Sequence, residues 1–180
     1  DQSLLGRNSD AFGFIESIRD ALPSWRADKG PAVVIGAGGA ARAIVVALQQ
    51  EGAREIRIAN RSADRAESLA AEFGLALVRW DARAEALRGA AIVVNSTSQG
   101  MQGEMPLDLV LDALPRDPVV FDSVYVPLET PLLAAARRRG NVAIDGLGML
   151  LHQGRPGFSV WFGVEPEVTV ELRRTIEATL

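Results

Sequence analysis

A glycine-rich segment, Gly36-Ala37-Gly38-Gly39-Ala40, is the first part of this sequence whose residue types and spacing could do chemistry. It follows an apolar run and leads straight into the alanine-rich stretch 40–50, whose pattern predicts a helix. The first glycine permits a tight turn, and the second lets a pyrophosphate approach the backbone. The helix N-terminus then offers unpaired N–H groups to that anion. Ala41 takes the third position of the G-x-G-x-x-G pattern, where alanine is tolerated. The segment predicts a dinucleotide site, with a plain strand-to-helix turn as the alternative.

A second polar group follows the next predicted strand and bears on which dinucleotide would bind. Asn60-Arg61-Ser62 stands at the strand tip, with Arg65 one helical turn further on. An acidic residue at this tip hydrogen-bonds the 2′-hydroxyl of NAD, whereas arginine accommodates the 2′-phosphate of NADP. No carboxylate stands at the tip, so the sequence predicts NADP(H). The alternative is that both arginines are solvated surface charges paired with neighbours such as Asp64 and Glu67.

The elements around these groups alternate between short apolar runs and helical stretches. We predict strands at residues 32–35, 55–59, 76–80, 92–95, 119–122 and 142–144. Helical periodicity occurs at 10–22, 40–50, 63–73, 82–88, 107–114, 131–138, 147–162 and 166–180. This alternation predicts an α/β fold, a Rossmann-type, doubly wound, mostly parallel six-stranded sheet with additional C-terminal helices. We divide the chain into an inter-domain segment and linking helix (1–24), an NADP-binding domain (25–162) and a C-terminal helix (163–180).

Bulk composition narrows the classes of function. The chain has 180 residues, which suits one domain, and a formal net charge of −4, which argues against nucleic acid or an anionic membrane as partner. It has no cysteine, so disulfides, thiolate nucleophiles and cysteine-ligated metals are excluded, and we expect no metal site. Neither a signal peptide nor a long apolar run is present, so a cytoplasmic location is expected.

Three further strings carry a family resemblance. They are Asn95-Ser96-Thr97-Ser98-Gln99-Gly100-Met101, the segment Asp122-Ser123-Val124-Tyr125-Val126-Pro127-Leu128-Glu129-Thr130-Pro131-Leu132-Leu133, and Asp145-Gly146-Leu147-Gly148-Met149-Leu150-Leu151-His152-Gln153. Together with the glycine loop and Asn60-Arg61-Ser62, they resemble the shikimate dehydrogenase family over almost the whole chain. The first two features are shared by many dinucleotide folds, whereas these three strings in this order are far more specific.

The resemblance implies a two-domain enzyme that reduces 3-dehydroshikimate to shikimate with NADPH, on the route to chorismate and the aromatic amino acids. An N-terminal domain would bind most of the substrate, and this chain would bring the nicotinamide to the cleft between the domains. Asp10 would take part in proton transfer together with a lysine of the N-terminal domain. Asn8, Tyr125 and Gln153 would lie on the substrate side. The residues expected at the cofactor are Gly36, Ala37, Gly38, Gly39, Ala40, Asn60, Arg61, Ser62, Arg65, Asn95, Ser96, Thr97, Ser98, Met101, Gly146 and Met149.

Several of these residues also have purely structural interpretations. Asn95 through Ser98 could cap a helix, because these are turn and N-cap residue types. Asp10 could be the N-cap of the helix that follows it, and Tyr125 could be half-buried packing. Met149 stands at a spacing typical of a core position. His152, the only histidine, is given no functional role.

The resemblance to the shikimate dehydrogenase family is incomplete, and this leaves other substrates and another enzyme family open. Lys29 is the only lysine, and it stands in a turn with no sign of a catalytic role. We therefore expect the substrate domain to precede Asp1 in a longer protein, and expect this chain to bind NADP but to turn nothing over. Ser9, Ala11, Gln99 and Val126 depart from the frequent family pattern, which leaves quinate or an amino-shikimate open as substrate. Glutamyl-tRNA reductase shares the glycine turn but would carry a catalytic cysteine.

A nucleotide-sensing module without catalysis is the non-enzyme alternative, although it would have no need of Asp10, Tyr125 and Gln153. The missing domain would also leave an apolar face exposed around Phe158, Trp161 and Phe162. Either a monomer or a homodimer is compatible with the sequence.

Overall fold

Six parallel strands form the central sheet of the computed structural model, which describes residues 6–180. The strands are β1 (Ala32–Ile35), β2 (Ile56–Ala59), β3 (Ala76–Val78), β4 (Ile92–Asn95), β5 (Val119–Asp122) and β6 (Val142–Ile144). Their order across the sheet is β3-β2-β1-β4-β5-β6, and each neighbouring pair is parallel. This order confirms the predicted Rossmann-type fold. The first five residues of the predicted linking segment 1–24 lie outside the described part of the chain.

The three central strands are buried on both faces. Every residue of β1, β4 and β5 is buried, which explains why these strands read as continuous apolar runs rather than alternating patterns. Consecutive side chains of a strand enter opposite cores: Val34 packs in one and Val33 in the other.

Residues 6–180 form six α-helices, of which the first five pack on the two faces of the sheet. They are α1 (Asp10–Ala21), α2 (Gly39–Gln50), α3 (Ala63–Phe73), α4 (Pro131–Arg139), α5 (Gly146–Phe162) and α6 (Val170–Glu177). Residues of α1, α2, α3 and α5 share one hydrophobic core, in which the rings of Phe14 and Phe121 meet edge to face at 4.9 Å. Residues of α4 pack in the core on the opposite face. In α1 the buried side includes Phe14, Ile15 and Ile18, whereas Phe12 remains 36% exposed.

The predicted helix at 107–114 is wrong. No helix forms there; instead Leu107, Leu109 and Leu111 are buried, and the chain reaches Leu114 through a turn. A spacing of two places side chains on one side of an extended chain, not of a helix. The four leucines cover the core that α4 also covers, so their burial decided the conformation.

Three other elements differ from the prediction by two residues or more. No α-helix forms over 82–88: the chain makes two short 3₁₀ turns, Trp80–Ala82 and Glu85–Leu87, and is already extended at Arg88. Strand β3 stops at Val78, having paired with β2 at only three positions. The last helix begins at Val170 rather than 166, because the Thr169 hydroxyl caps it by accepting the N–H of Leu172 at 3.1 Å.

An apolar surface at the end of α5 is exposed, as the sequence predicts. Trp161 is 78% exposed, Phe162 64% and Phe158 41%. The rings of Phe158 and Phe162 pack on each other at 4.5 Å. Among residues 6–180, none of the helices has the length and apolar character that crossing a bilayer requires.

Candidate functional site

The glycine loop lies at the carboxyl end of β1, against the start of the β4 loop. The N–H of Gly36 donates to the carbonyl of Ala59 at 2.8 Å, and the Ser96 hydroxyl donates to the carbonyl of Ile35 at 2.9 Å. Gly36 has φ +115°, and a Cβ there would stand 2.5 Å from Ser96 Oγ. Position 36 therefore requires glycine for both conformation and space.

The next two glycines leave an open approach to the backbone. A Cβ at Gly38 or Gly39 would meet nothing within 4 Å. Gly38 is the N-cap residue of α2, where no side chain caps the helix and no acidic residue occupies the first turn. The start of α2 thus presents N–H groups and a partial positive charge to a shallow, accessible surface, which is the arrangement that binds a pyrophosphate.

Two arginines stand beside this loop. The side-chain amide of Asn60 donates to the Ser62 carbonyl at 2.9 Å and shapes the turn that carries Arg61. Arg61 and Arg65 are exposed, and within residues 6–180 neither forms an ion pair with Asp64, Glu67 or any other carboxylate. Both cations are therefore available to an anionic ligand.

One cleft of about 240 Å³ unites most of the predicted cofactor residues. Its lining, among the residues that the structure describes, contains two arginines and no carboxylate. The lining residues are Gly36, Ala37, Gly38, Asn60, Arg61, Ser62, Arg65, Trp80, Ser96, Thr97, Ser98 and Gln99. Gly39 borders a neighbouring cleft with Arg65, and Ala40 follows it in the first turn of α2.

Asn95 has a different position from the one expected. It is fully buried at the end of β4, and its amide nitrogen donates to Asp122 Oδ1 at 2.9 Å and to the Gln99 carbonyl at 3.0 Å. Its amide oxygen accepts from the N–H and the hydroxyl of Thr97 at 3.0 and 2.7 Å. All of these bonds are internal, so Asn95 shapes the loop that lines the cleft rather than presenting a polar group to a ligand.

Asp122 is the partner of Asn95 on β5 and is also fully buried. It accepts hydrogen bonds from the Val124 N–H at 3.1 Å and from the Thr130 hydroxyl at 2.7 Å, and Thr130 in turn caps α4. Burial raises the pKa of the Asp122 carboxyl, and the hydrogen bonds from Thr130, Val124 and Asn95 oppose this rise. The carboxyl thereby joins the loops after β4 and β5 to the start of α4.

Backbone contacts bring the remaining predicted segments to the same edge of the sheet. The N–H of Gln102, next to Met101, donates to the Val126 carbonyl at 2.8 Å, and the N–H of Gly146 donates to the Val124 carbonyl at 3.0 Å. Tyr125, half-buried, lies between these two acceptors in the chain. A Cβ at Gly146 would overlap the Ser123 carbonyl, so this glycine has a packing requirement of its own.

Helix α1, which begins at Asp10, packs on α5 so that Gly13 lies against Gln153. A Cβ at Gly13, one turn after Asp10, would stand 2.6 Å from the Met149 carbonyl and 2.8 Å from Gln153 Cβ. Met149 itself is buried in the core beneath this helix contact. Its predicted contact with the nicotinamide has no support in its burial and stays a prediction.

The N-terminus of α1 points to the same side of the molecule as the glycine loop. One groove is lined by both Asn8 and Gly39, and at the other end Arg19 of α1 binds both carboxylate oxygens of Glu51, just after α2, at 2.9 Å. Asp10 is the first residue of α1 rather than its N-cap, which is Ser9. The Asn8 side-chain oxygen accepts the Asp10 N–H at 2.7 Å.

Sequence reasoning missed the packing residues of this site. Gly13 and Gly148 allow the close contact between α1 and α5, since a Cβ at Gly148 would overlap the Ser17 hydroxyl. The sequence analysis includes Asp122 and Thr130 in the family-like segment 122–133 but assigns them no role. The sequence signal for a buried polar network was a carboxylate at the end of a strand that is otherwise apolar. His152 is buried between Asp20 (2.7 Å) and Arg155 (3.3 Å), so its contacts are structural.

The fold and the site define a class of protein. A wholly parallel sheet of this strand order, with a glycine turn between β1 and α2 and a cleft beyond the carboxyl ends of the strands, is a Rossmann-type dinucleotide-binding domain.

Comparison with known proteins narrows this class to a family. The family model described as shikimate/quinate 5-dehydrogenase matches residues 19–102. A protein named shikimate dehydrogenase (NADP(+)) from Paramagnetospirillum magneticum is 57% identical over 175 residues, which are 96% of this chain and 63% of that protein. The chain belongs to the shikimate/quinate 5-dehydrogenase family. It spans less than two thirds of the length of the curated relatives it matches.

Two solved structures show the same fold. Quinate dehydrogenase from Corynebacterium glutamicum, in complex with NAD, superimposes with a TM-score of 0.86 at 31% identity, over 97% of this chain and 63% of that one. Shikimate 5-dehydrogenase from Thermus thermophilus, in complex with NADP(H) and shikimate, superimposes with a TM-score of 0.79 at 38% identity, over 90% of this chain and 59% of that one.

Proposed function

We propose that this chain is the NADP-binding part of a shikimate dehydrogenase, an oxidoreductase that reversibly reduces 3-dehydroshikimate to shikimate. The observation that carries the cofactor assignment is the cleft in which Arg61 and Arg65 stand beside the glycine loop without a carboxylate among the described lining residues. The substrate assignment rests on the 57% identity to a protein of that name.

The residues present fit the cofactor. Gly38 and Gly39 leave the space that a pyrophosphate needs, and the uncapped start of α2 supplies N–H donors. Arg61 and Arg65 would hold the 2′-phosphate with charge-assisted hydrogen bonds, each worth about 1.5–3 kcal/mol. Ser96, Thr97 and Ser98 line the same cleft and would border the bound dinucleotide. When bound, NADPH supplies a hydride.

Asp10 would serve the proton that accompanies reduction of the ketone. Hydride addition leaves negative charge on the substrate oxygen, which must gain a proton. The backbone N–H of Asp10 is held by Asn8 at 2.7 Å, at the end of α1 that lies beside the glycine loop. Gln153, across from Gly13, and Tyr125 would contact the substrate from the same edge of the sheet. Gly146, Met149 and Met101 would border the nicotinamide end of the site.

Lys29 does not fit the role of partner to Asp10. It lies in the 3₁₀ turn before β1 and lines a pocket with Gly89 and Asp117, at the amino ends of the strands. The cationic partner that the reaction needs would come from outside this chain, in the part of the relatives that the chain does not span.

Calorimetric titration of the purified chain with NADPH and NADH tests the cofactor assignment. We expect NADPH to bind more tightly, and Arg61→Ala to weaken NADPH binding roughly 10- to 100-fold while leaving NADH unchanged. Arg138→Ala is the matched control, because Arg138 is exposed in the last turn of α4, at the opposite end of the sheet. Equal affinity for the two nucleotides would contradict the proposal.

A quinate dehydrogenase is the second candidate, favoured by the TM-score of 0.86 with an enzyme of that name bound to NAD. The two arginines argue against NAD here, because a 2′-hydroxyl offers them no charge to pair with. Initial rates with shikimate and with quinate, measured on the longest natural protein that carries this chain, separate the two. Faster turnover of quinate would replace the proposed substrate.

A further inference from the structure

Trp80 lines the cofactor cleft but belongs to none of the motifs considered so far. It stands two residues beyond β3 and begins the 3₁₀ turn Trp80–Ala82. The residue is half-buried: part of it packs against the core on the α4 side, and part borders the cleft that contains Arg61, Arg65 and Ser98. Among the described residues that line this cleft, it is the aromatic one.

A fixed cation holds the indole in place. The guanidinium carbon of Arg83 lies 4.5 Å from the ring centroid, and its Nη1 donates to the Trp80 carbonyl at 2.7 Å. Nε and Nη2 of Arg83 donate to the Asp108 carbonyl at 2.9 and 2.6 Å. Arg83 thus covers the indole from one side and is itself anchored by the extended segment that carries Leu107 and Leu109.

We propose that Trp80 forms the wall of an adenine pocket and contacts the purine base of the bound dinucleotide. This inference rests on the proposed function and deepens it. The base and the 2′-phosphate are attached to the same ribose, so a phosphate held by Arg61 and Arg65 leaves the base within the same small cleft. An indole that is immobilised beforehand loses little conformational freedom when a base packs on it.

Tryptophan fluorescence provides the first test. The chain has three tryptophans; Trp25 lies at the amino ends of the strands and Trp161 is exposed at the end of α5. The probe is adenosine 2′,5′-bisphosphate, which carries the adenine and the 2′-phosphate but no nicotinamide. We expect it to quench the emission of the wild type and of the controls Trp25→Phe and Trp161→Phe, and to leave the emission of Trp80→Phe unchanged. Quenching that persists in Trp80→Phe would overturn the inference.

Affinity gives the second readout. Calorimetry should show that Trp80→Phe, which keeps an aromatic face, retains binding of the bisphosphate, whereas Trp80→Ala weakens it roughly tenfold. Wild-type affinity in Trp80→Ala would overturn the inference while leaving the NADP assignment intact. If Trp80→Ala does not fold, the fluorescence of Trp80→Phe still decides. Absence of any binding heat with NADPH or the bisphosphate in the wild type would refute the cofactor assignment and this inference together.

Discussion

The amide nitrogen of Asn95 donates a 2.9 Å hydrogen bond to Oδ1 of Asp122, at aligned positions of β4 and β5 where both residues have no exposed surface. The pair lies under the cofactor cleft and connects three segments that meet there: the loop after β4, the loop after β5 and the start of α4. The shape of the candidate site therefore depends on two residues that lie below it.

Removing the Asp122 carboxyl should destabilise the protein. Asp122→Ala leaves the buried donors of Asn95, Val124 and Thr130 without an acceptor, and each unsatisfied group costs about 1–3 kcal/mol. We expect the free energy of unfolding in urea to fall by at least about 2 kcal/mol, and by less in Asp122→Asn, which keeps one oxygen. The exposed Asp117→Ala is the control and should change little. Equal stabilities of wild type and Asp122→Ala would show that the network contributes nothing net.

Stability should also depend on pH through this carboxyl. Because burial raises the Asp122 pKa above the ordinary value of 3.8, the folded state binds a proton more readily than the unfolded state in the window between the two values. In that window the stability contributed by Asp122 rises as pH falls and is lost as pH rises through the folded pKa. We expect the difference in unfolding free energy between wild type and Asp122→Asn to shift in favour of the wild type on acidification towards 3.8.

Measuring the difference between wild type and Asp122→Asn cancels the contributions that other carboxyls make to the pH dependence of stability. The guanidinium groups of Arg26 and Arg79 lower the pKa values of Asp28 and Asp81, which titrate in the opposite sense. Both pairs are present in wild type and variant alike, so their contributions cancel. A difference that stays constant with pH would mean that the folded and unfolded pKa values of Asp122 coincide.

Substitutions at two glycines of the same loop should separate an effect on the stability of the fold from an effect on nucleotide binding. Gly36→Ala places a Cβ 2.5 Å from Ser96 Oγ at φ +115°, and we expect a loss of roughly 1–3 kcal/mol of stability. Gly38→Ala meets no atom within 4 Å and has φ −96°, so its stability should hold. Its methyl group would instead occupy space that a pyrophosphate needs, weakening NADPH binding by roughly tenfold or more. Thermal unfolding and calorimetry on both variants make the comparison, and tight NADPH binding by Gly38→Ala would argue against the glycine loop as the phosphate site.

The close packing of α1 on α5 should make the effect of a glycine-to-alanine substitution depend on whether the glycine lies at the contact between the two helices. Gly13→Ala would bring a Cβ to 2.6 Å from the Met149 carbonyl, which is backbone and cannot rotate away. We expect a loss of about 1–3 kcal/mol, measured by urea unfolding. Gly154→Ala in α5 is the matched control: its Cβ meets nothing within 4 Å, and alanine stabilises a helix interior by about 0.5–1 kcal/mol relative to glycine. The same sign of change in both variants would contradict the packing model.

Local sequence was sufficient wherever one segment's own residues set its conformation. Four strands have the predicted bounds (32–35, 92–95, 119–122, 142–144). Three of them, β1, β4 and β5, are buried throughout, so their sequences are almost continuously apolar. The conformations of the glycine loop and of the turn that carries Arg61 could also be predicted, because each depends on residues that are adjacent in the chain. Gly74, with φ +67°, ends α3 where the sequence placed its end.

Tertiary structure decided what depends on residues far apart in the chain. The leucines from 107 to 114 could have followed helical or extended spacing, and only the core beside α4 selected the extended form. Asn95 and Asp122 are 27 positions apart, and Gly13 meets Gln153 across more than a hundred residues. Trp80 lines the cleft together with Gly36 and Ser98, which belong to separate segments of the chain. Local propensity determined most of the strands and helices and the loop that approaches a phosphate, whereas side-chain packing between distant segments determined the walls of the site.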